Sequence, residues 1–145
     1  MSDVVDVLVT QHNRMRQLCT DVQQADRADK TPLFDQLGEL VTRHERGDRL
    51  LVHPAARDAT PAGAAIGVAC LVAEGDIERA LADLRVGGVG DPGFDAGFAA
   101  LQRRVLEHNA HEERDEFPLL RLFVNTQRLH MMVGQLHDIQ VMSTR

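Results

Sequence analysis

Apolar residues recur at intervals of three and four along almost the whole chain, which commits it to helices packed on helices. No stretch alternates with period two, and no hairpin signal joins two apolar runs. The breaks are punctuated. Thr31-Pro32, Thr60-Pro61 and Asp91-Pro92 each set a capping side chain before a proline suited to the first helical position, and Thr126 offers a cap for a last helix. The pattern predicts five helices, at roughly 3–28, 32–56, 61–86, 92–121 and 127–142. Short connections imply antiparallel neighbours. The expected fold is all-α: an up-down-up-down four-helix bundle, with a shorter fifth helix lying across it or along one side.

At 145 residues the chain suits a single domain, 1–145. Hydrophobic residues at 43% and charged residues at 26% fit a soluble globular protein. No apolar run approaches the roughly 20 residues that a membrane span needs. The opening MSDVVDVLVTQHN has no basic stretch ahead of an apolar one, so a cytoplasmic location is expected. The formal net charge is -6 and the arginines are scattered, which argues against a nucleic-acid partner. Cys19 and Cys70 are isolated on apolar stripes and read as buried reduced thiols, without the spacing of a zinc motif. The anomaly is histidine: there are seven, in a chain with no Trp and no Tyr.

Polar residues interrupt the apolar stripes. In helix 1, His12 falls among Leu8, Met15, Cys19 and Val22. In helix 2, His44 and Asp48 share a face with Leu37, Leu40, Val41 and Leu51. In helix 3, Glu74 lies among Cys70, Leu71, Ile77, Glu78 and Leu81; in helix 4, His108 and Glu112 lie among Leu101, Val105 and Leu119. Residues four apart share a helix face, so each His-x-x-x-acid pair reaches one point beside its helix. Burying a lone carboxylate costs several kcal/mol by order of magnitude. Three inward acids and three inward histidines share one explanation if two cations neutralise the acids and accept the imidazole lone pairs. Iron, zinc and manganese all suit such donors.

These residues resemble the hemerythrin family, the HHE cation-binding domains, and especially the actinobacterial (mycobacterial) hemerythrin-like proteins. The likeness rests on His12, on HERGDRLLVHP from His44 to Pro54, and on HNAHEERDEFP from His108 to Pro118, and it spans roughly residues 4–121. In both segments the proline falls ten residues after the histidine. The resemblance implies two iron ions, oxo- or hydroxo-bridged, held by His12, His44, Asp48, Glu74, His108 and Glu112. Two positions depart from the family pattern. Asp48 stands where Glu is usual, and Glu74 falls in the register of the helix-3 histidine. A third carboxylate favours the ferric state and makes reversible oxygen carriage a poor expectation.

The remaining acids and histidines rank lower. Glu45 and Glu113 follow the motif histidines and read as solvated acids or acceptors for a ligand, ahead of ligands themselves. Glu78, one turn after Glu74, suits an acceptor for a ligand histidine. His53 lies about 180° from His44 on an ideal helix, so a ligand role requires a distorted turn. His111 belongs at the bundle rim, and His130 and His137 on the surface or in packing. The functional expectation is a di-iron protein that binds and turns over small oxidants, by catalase-like peroxide disproportionation or nitric oxide handling. The alternative is a sensor or binder of O2, NO or iron without turnover. A purely structural metal ranks last, and GGVGDPG at 87–93 reads as an interhelix loop and not a phosphate cradle.

Overall fold

The computed structural model describes residues 2–142; the outermost residues of the expected domain, 1 and 143–145, lie outside that range. Helix α1 (Val4–Gln24) opens at Asp3, whose carboxylate accepts from the Asp6 N–H at 2.9 Å while Asp6 accepts from the Asp3 N–H at 3.1 Å. Arg121, from the far end of the chain, pairs with both acids at 3.1 and 2.7 Å. Helix α2 spans Arg27–Gly47 and continues through a π-helical segment, Asp48–Val52, into α3 (His53–Ala59). Helix α4 is Pro61–Gly87. Helix α5 (Phe94–His111) likewise continues through a π segment, Glu112–Glu116, into α6 (Phe117–Phe123). Helix α7 is Thr126–Met142. Five helical rods result, and no strand occurs among the described residues.

The rods close a four-membered ring. α1 packs on α2 and α5, and α4 packs on α2, α3 and α5, while α7 lies along α1 and α2. This is the expected bundle, with the fifth helix placed along one side.

The caps correct several predicted boundaries. α2 begins at Arg27, not Pro32, because the Asp26 carboxylate accepts from the Asp29 N–H at 3.1 Å and supplies the cap ascribed to Thr31. Pro32 then sits within the helix, where it forfeits a single backbone bond near the N-terminus. Thr60 caps α4 as predicted, accepting from the Gly63 N–H at 3.0 Å, with Pro61 at the first position. α4 ends at Gly88, the described residue with positive φ (76°), where a side chain would be strained. α5 starts at Phe94, not Pro92. Asp91 instead builds a preceding turn, accepting from the Gly93 N–H on its carboxylate and from the Phe94 N–H on its carbonyl. At α7 the capping side chain is Asn125, which accepts from the Gln127 N–H at 2.8 Å, and not Thr126.

The apolar interior divides into two clusters. One gathers Met15, Leu18, Cys19, Val22, Phe34, Leu37 and Val41 with Ile77, Leu81, Phe94, Phe98, Leu101 and Val105. Phe34 meets Phe94 edge-on with ring centroids 5.3 Å apart. The other gathers Val4, Val5, Leu8, Val52, Ala55 and Ala56 with Phe117, Leu120, Leu129, Met132 and Leu136. Between them, in chain order on each rod, stand the buried polar residues. His12 lies between Leu8 and Met15, His44 between Val41 and Val52, and His108 between Val105 and Phe117.

The π segments reset the phase of the residues beyond them on each rod. In each, one backbone bond spans five residues: the His53 N–H donates to the Asp48 carbonyl, and the Phe117 N–H to the Glu112 carbonyl. The next residues are Pro54 and Pro118, which lack an N–H and crowd the carbonyl four residues back. A widened turn relieves that crowding and absorbs one extra residue. Every later side chain therefore lags by about 100° against an uninterrupted helix. After Asp48 the fully buried position is Val52, and Leu51, which the spacing also turns inward, packs half-buried against the second cluster. On the partner rod Glu116, one turn after Glu112, is buried, and Asp115 is half-buried. On α4, Leu71 and Glu78 face outward, against the predicted stripe; Glu78 pairs with Arg49 at 3.6 Å and touches no histidine.

The tight α3–α4 turn depends on Gly63, since a Cβ there would run into the backbone carbonyl of Ala56. Alanine is the better helix former by about 1 kcal/mol, yet Gly63→Ala is expected to destabilise the fold by about 1–3 kcal/mol through overpacking. Thermal unfolding followed by circular dichroism should show a Tm lower by roughly 3–10 °C. An unchanged or raised Tm would show that the turn relaxes freely.

Candidate metal centre

The four rods of the bundle deliver ten buried polar or charged residues to its middle: His12, His44, Glu45, Asp48, His53, Glu74, His108, Asn109, Glu112 and Glu116. The six residues expected from the sequence, His12, His44, Asp48, Glu74, His108 and Glu112, are all among them. Each reaches the layer because it replaces an apolar residue on an inward stripe.

The geometry converges on Glu112. Its Oε1 lies 3.2 Å from His12 Nε2, 3.3 Å from His44 Nε2 and 3.3 Å from His108 Nε2. His44 Nε2 is also 3.3 Å from Asp48 Oδ2, one turn along its own rod. Glu74 Oε2 lies 3.0 Å from His108 Nε2 and 2.8 Å from His53 Nε2. One donor atom each from His12, His44 and Glu112 falls within 4.8 Å of the others, and the same holds for Asp48, His53, Glu74 and Glu112. Glu112 belongs to both groups.

The outer edges of the imidazoles are held. His12 Nδ1–H donates to Glu113 at 3.0 Å, and the ring stacks on Phe117 with centroids 5.4 Å apart. His44 Nδ1–H donates to the Gln11 side-chain oxygen at 2.8 Å. The Gln11 amide is clamped in turn by Gln140 of α7 through reciprocal bonds of 2.8 and 3.1 Å. With both Nδ1 atoms donating, both Nε2 atoms face inward only 3.0 Å apart, and each offers a lone pair there wherever it carries no proton. Two such lone pairs repel unless a proton or a cation lies near both. Carboxylate oxygens repeat the demand. Both oxygens of Asp48, Oε1 of Glu74, Oε2 of Glu112 and Oε1 of Glu116 are buried without a hydrogen-bond partner. A donor set of imidazoles and unsatisfied carboxylates fits a pair of divalent or trivalent cations, which would displace any protons held on the imidazoles.

Charge within the layer shifts its members apart. Burial works against ionising Glu112, but bonds from His12 and His44 outweigh it and hold its carboxyl well below the usual range. Burial likewise opposes Glu74, yet bonds from His108 and His53 keep it lowered. Asp48 is pushed well up by burial and by the Glu112 charge. Burial and the positive His44 beside it depress His12, although Glu112 opposes them. His44 and His53 rise despite burial: Asp48 and Glu112 lift His44, and bonds to Glu116 and Glu74 carry His53 to about 11. Burial drives the Cys70 thiol far above its ordinary value.

Three residues stand differently from their sequence reading. His53 is buried in the layer, its Nδ1 2.7 Å from Glu116 and its Nε2 2.8 Å from Glu74, because the π segment supplies the distorted turn that its position required. Glu116 carries no ligand expectation from the sequence; the available signal is Glu112 four residues earlier, the same spacing that joins His108 to Glu112. Glu45, expected to be solvated, is buried with neither oxygen partnered. Glu113 serves as the acceptor for His12. His111 sits half-buried at the rim, its Nε2 3.0 Å from Asp115. Cys19 and Cys70 are buried free thiols, as expected.

Burial, with the charges of Glu74 and Glu78, raises the Glu45 carboxyl to about 9 from the 4.5 of an unperturbed glutamate. A carboxyl raised on folding binds its proton more tightly in the native chain, so its penalty is absent below the lower value and grows as pH climbs toward the higher one. Glu45→Gln removes that titration. In chelator, its stability advantage over the parent should widen from pH 5 to pH 8, reaching about 1–3 kcal/mol. A gap independent of pH would place Glu45 in water.

No curated protein matches the sequence. In three dimensions the chain is similar to a hemerythrin HHE cation-binding domain-containing protein from Mycobacterium kansasii, with a TM-score of 0.84 over 99% of this chain and 91% of that one, at 19% identity. At that identity the likeness speaks for the fold. The family model of the hemerythrin HHE cation-binding domain matches residues 3–120. A match over most of the chain makes this protein a member of the hemerythrin HHE cation-binding family.

Proposed function

We propose that the chain holds two iron ions across the buried layer and turns over small oxidants, hydrogen peroxide first and nitric oxide second. One observation carries this reading: the Glu112 carboxylate is shared between the His12–His44 group and the Asp48–His53–Glu74 group. A shared carboxylate is how two cations are kept close without direct repulsion deciding the geometry. Asp48, His108 and Glu74 complete the proposed ligand set, and the buried position of His53 adds it as a further donor. Bound there, iron supplies Lewis acidity and reversible exchange between ferric and ferrous states.

The chain's own residues set the conditions. Glu113 and Gln11 fix the ring orientation and tautomer of His12 and His44, keeping each Nε2 free. The apolar clusters on either side keep bulk water from the layer. A cavity of about 270 Å³ opens between α4 and α5, lined by Ala73, Asp76, Arg104, Glu107, His108 and His111. Its inner wall is His108 itself, so a molecule entering it meets the layer. That volume suits a diatomic gas or peroxide and falls below the usual range for larger organic ligands. The carboxylate Glu74 in place of an imidazole supports the higher iron charge, which favours turnover over reversible oxygen carriage. No helix among the described residues is long and apolar enough to cross a membrane.

Metal analysis and near-ultraviolet absorption of aerobically purified protein test the reading. About two irons per chain are expected, with a ferric charge-transfer band unobscured by Trp or Tyr, which the chain lacks. Peroxide decay should exceed that of free iron. Glu112→Ala should lose both ions together, and Glu113→Ala should weaken metal affinity roughly tenfold by freeing the His12 ring. Iron-loaded protein that binds nitric oxide or oxygen spectroscopically yet consumes neither peroxide nor nitric oxide would replace turnover with sensing. Zinc alone, or no metal, would overturn the redox reading.

A further inference from the structure

Cys70 lies one turn before Glu74 on α4 and is fully buried. Its side chain does not join either apolar cluster, in contrast to Cys19, which packs among Met15, Leu18 and Val22. It faces the polar layer instead. One donor atom each from Cys70, His53, Glu112 and Glu116 lies within 4.8 Å of the other three, and all four residues are buried. Bonds of about 2.0–2.3 Å place the donors of one ion no more than about 4.6 Å apart. The four side chains therefore surround a point with nearly the spacing of a single coordination sphere. A second, independent observation points to the same place: Glu112 Oε2 and Glu116 Oε1 are buried without any hydrogen-bond partner. Glu116 and Cys70 come from different rods, Glu116 one turn after Glu112 and Cys70 one turn before Glu74.

We propose that Cys70 is a thiolate ligand at the metal position flanked by His53, Glu112 and Glu116, giving the centre one sulfur donor. The inference rests on the two-ion reading and names a ligand which that reading does not contain. The step balances on groups already in place. The S–H bond breaks, the sulfur lone pair binds the cation, and the proton has an acceptor in His111 Nδ1, 3.9 Å from Sγ. His111 Nε2–H donates to Asp115 at 3.0 Å, which leaves Nδ1 as the accepting nitrogen. His111 is half-buried and lines the cavity between α4 and α5, so the proton continues to solvent. A soft sulfur beside imidazole and carboxylate also broadens the metals that this position accepts.

X-ray absorption at the metal edge decides it, on iron-loaded and cobalt-loaded protein, with metal content measured on the same samples. The expected result is a sulfur scatterer at about 2.3 Å, corresponding to one sulfur for two metals. It should remain in Cys19→Ser and vanish in Cys70→Ser, and the cobalt form should lose its thiolate charge-transfer band in parallel. If Cys70→Ser does not fold, the parent and Cys19→Ser spectra still decide whether a sulfur is bound and exclude Cys19. Metal at full content with only nitrogen and oxygen scatterers in the parent overturns the thiolate and leaves the two-ion reading standing. A sulfur signal that survives in Cys70→Ser overturns it equally. A chain that takes up no metal overturns the two-ion reading and this inference with it.

Discussion

The structure depends on one electrostatic problem: a layer of carboxylates and imidazoles held in the middle of a helical bundle, away from water. Isolated charges in such a place cost several kcal/mol each. Here Glu112 draws three imidazoles around one oxygen, and His53 spans two carboxylates, so that each acid of the pair Glu74 and Glu116 has a cationic or donating neighbour. The arrangement still leaves Asp48 and one oxygen each of Glu74, Glu112 and Glu116 unsatisfied. The layer is built for more positive charge than the chain supplies, which is the physical meaning of a cation-binding fold.

The apolar parts of the bundle are organised by that layer. It divides the interior into two clusters, and each helix crosses it with apolar residues above and below. The rods are thereby pinned in register, because a slip of one turn would set His12 or His108 among leucines. α7 adds to this indirectly. It packs on α1 and α2, and its Gln140 holds the Gln11 amide that orients His44. A helix that contributes nothing to the layer thus still governs the direction of one imidazole within it.

The two π segments are the device that enlarges the site. Each begins at an acid four residues after a motif histidine and ends two residues before a proline. The widened turn lets the rod present two inward groups where an α-helix would present one and then rotate away. His53 enters the layer by this route, one turn along from Asp48, and there it faces Glu74 and Glu116. Membership in the hemerythrin HHE family accounts for the bundle and for cation binding.

Much of this is legible in the residues. The helical period, the Thr60-Pro61 cap and the doubled His-x-x-x-acid with its matched proline carry the bundle and six of the buried polar groups, because spacing within one helix is local geometry. Other features are not legible for the same reason. Prolines at 32 and 92 look like first-turn residues, but the helices start at Arg27 and Phe94, because Asp26 and a turn built on Asp91 define the ends. Regular spacing turns Leu71 and Glu78 inward and leaves Glu45 out on stretches that no π turn precedes, and beyond the π turn of its rod it leaves His53 out, against the structure. Periodicity assumes one rotation per residue, and a single extra residue in a π turn shifts everything after it by about 100°. The sequence by itself determined which helices exist and which polar residues interrupt their apolar faces. Only the tertiary structure decided which groups from different rods meet at one point, since that depends on the phase each rod acquires after its widened turn.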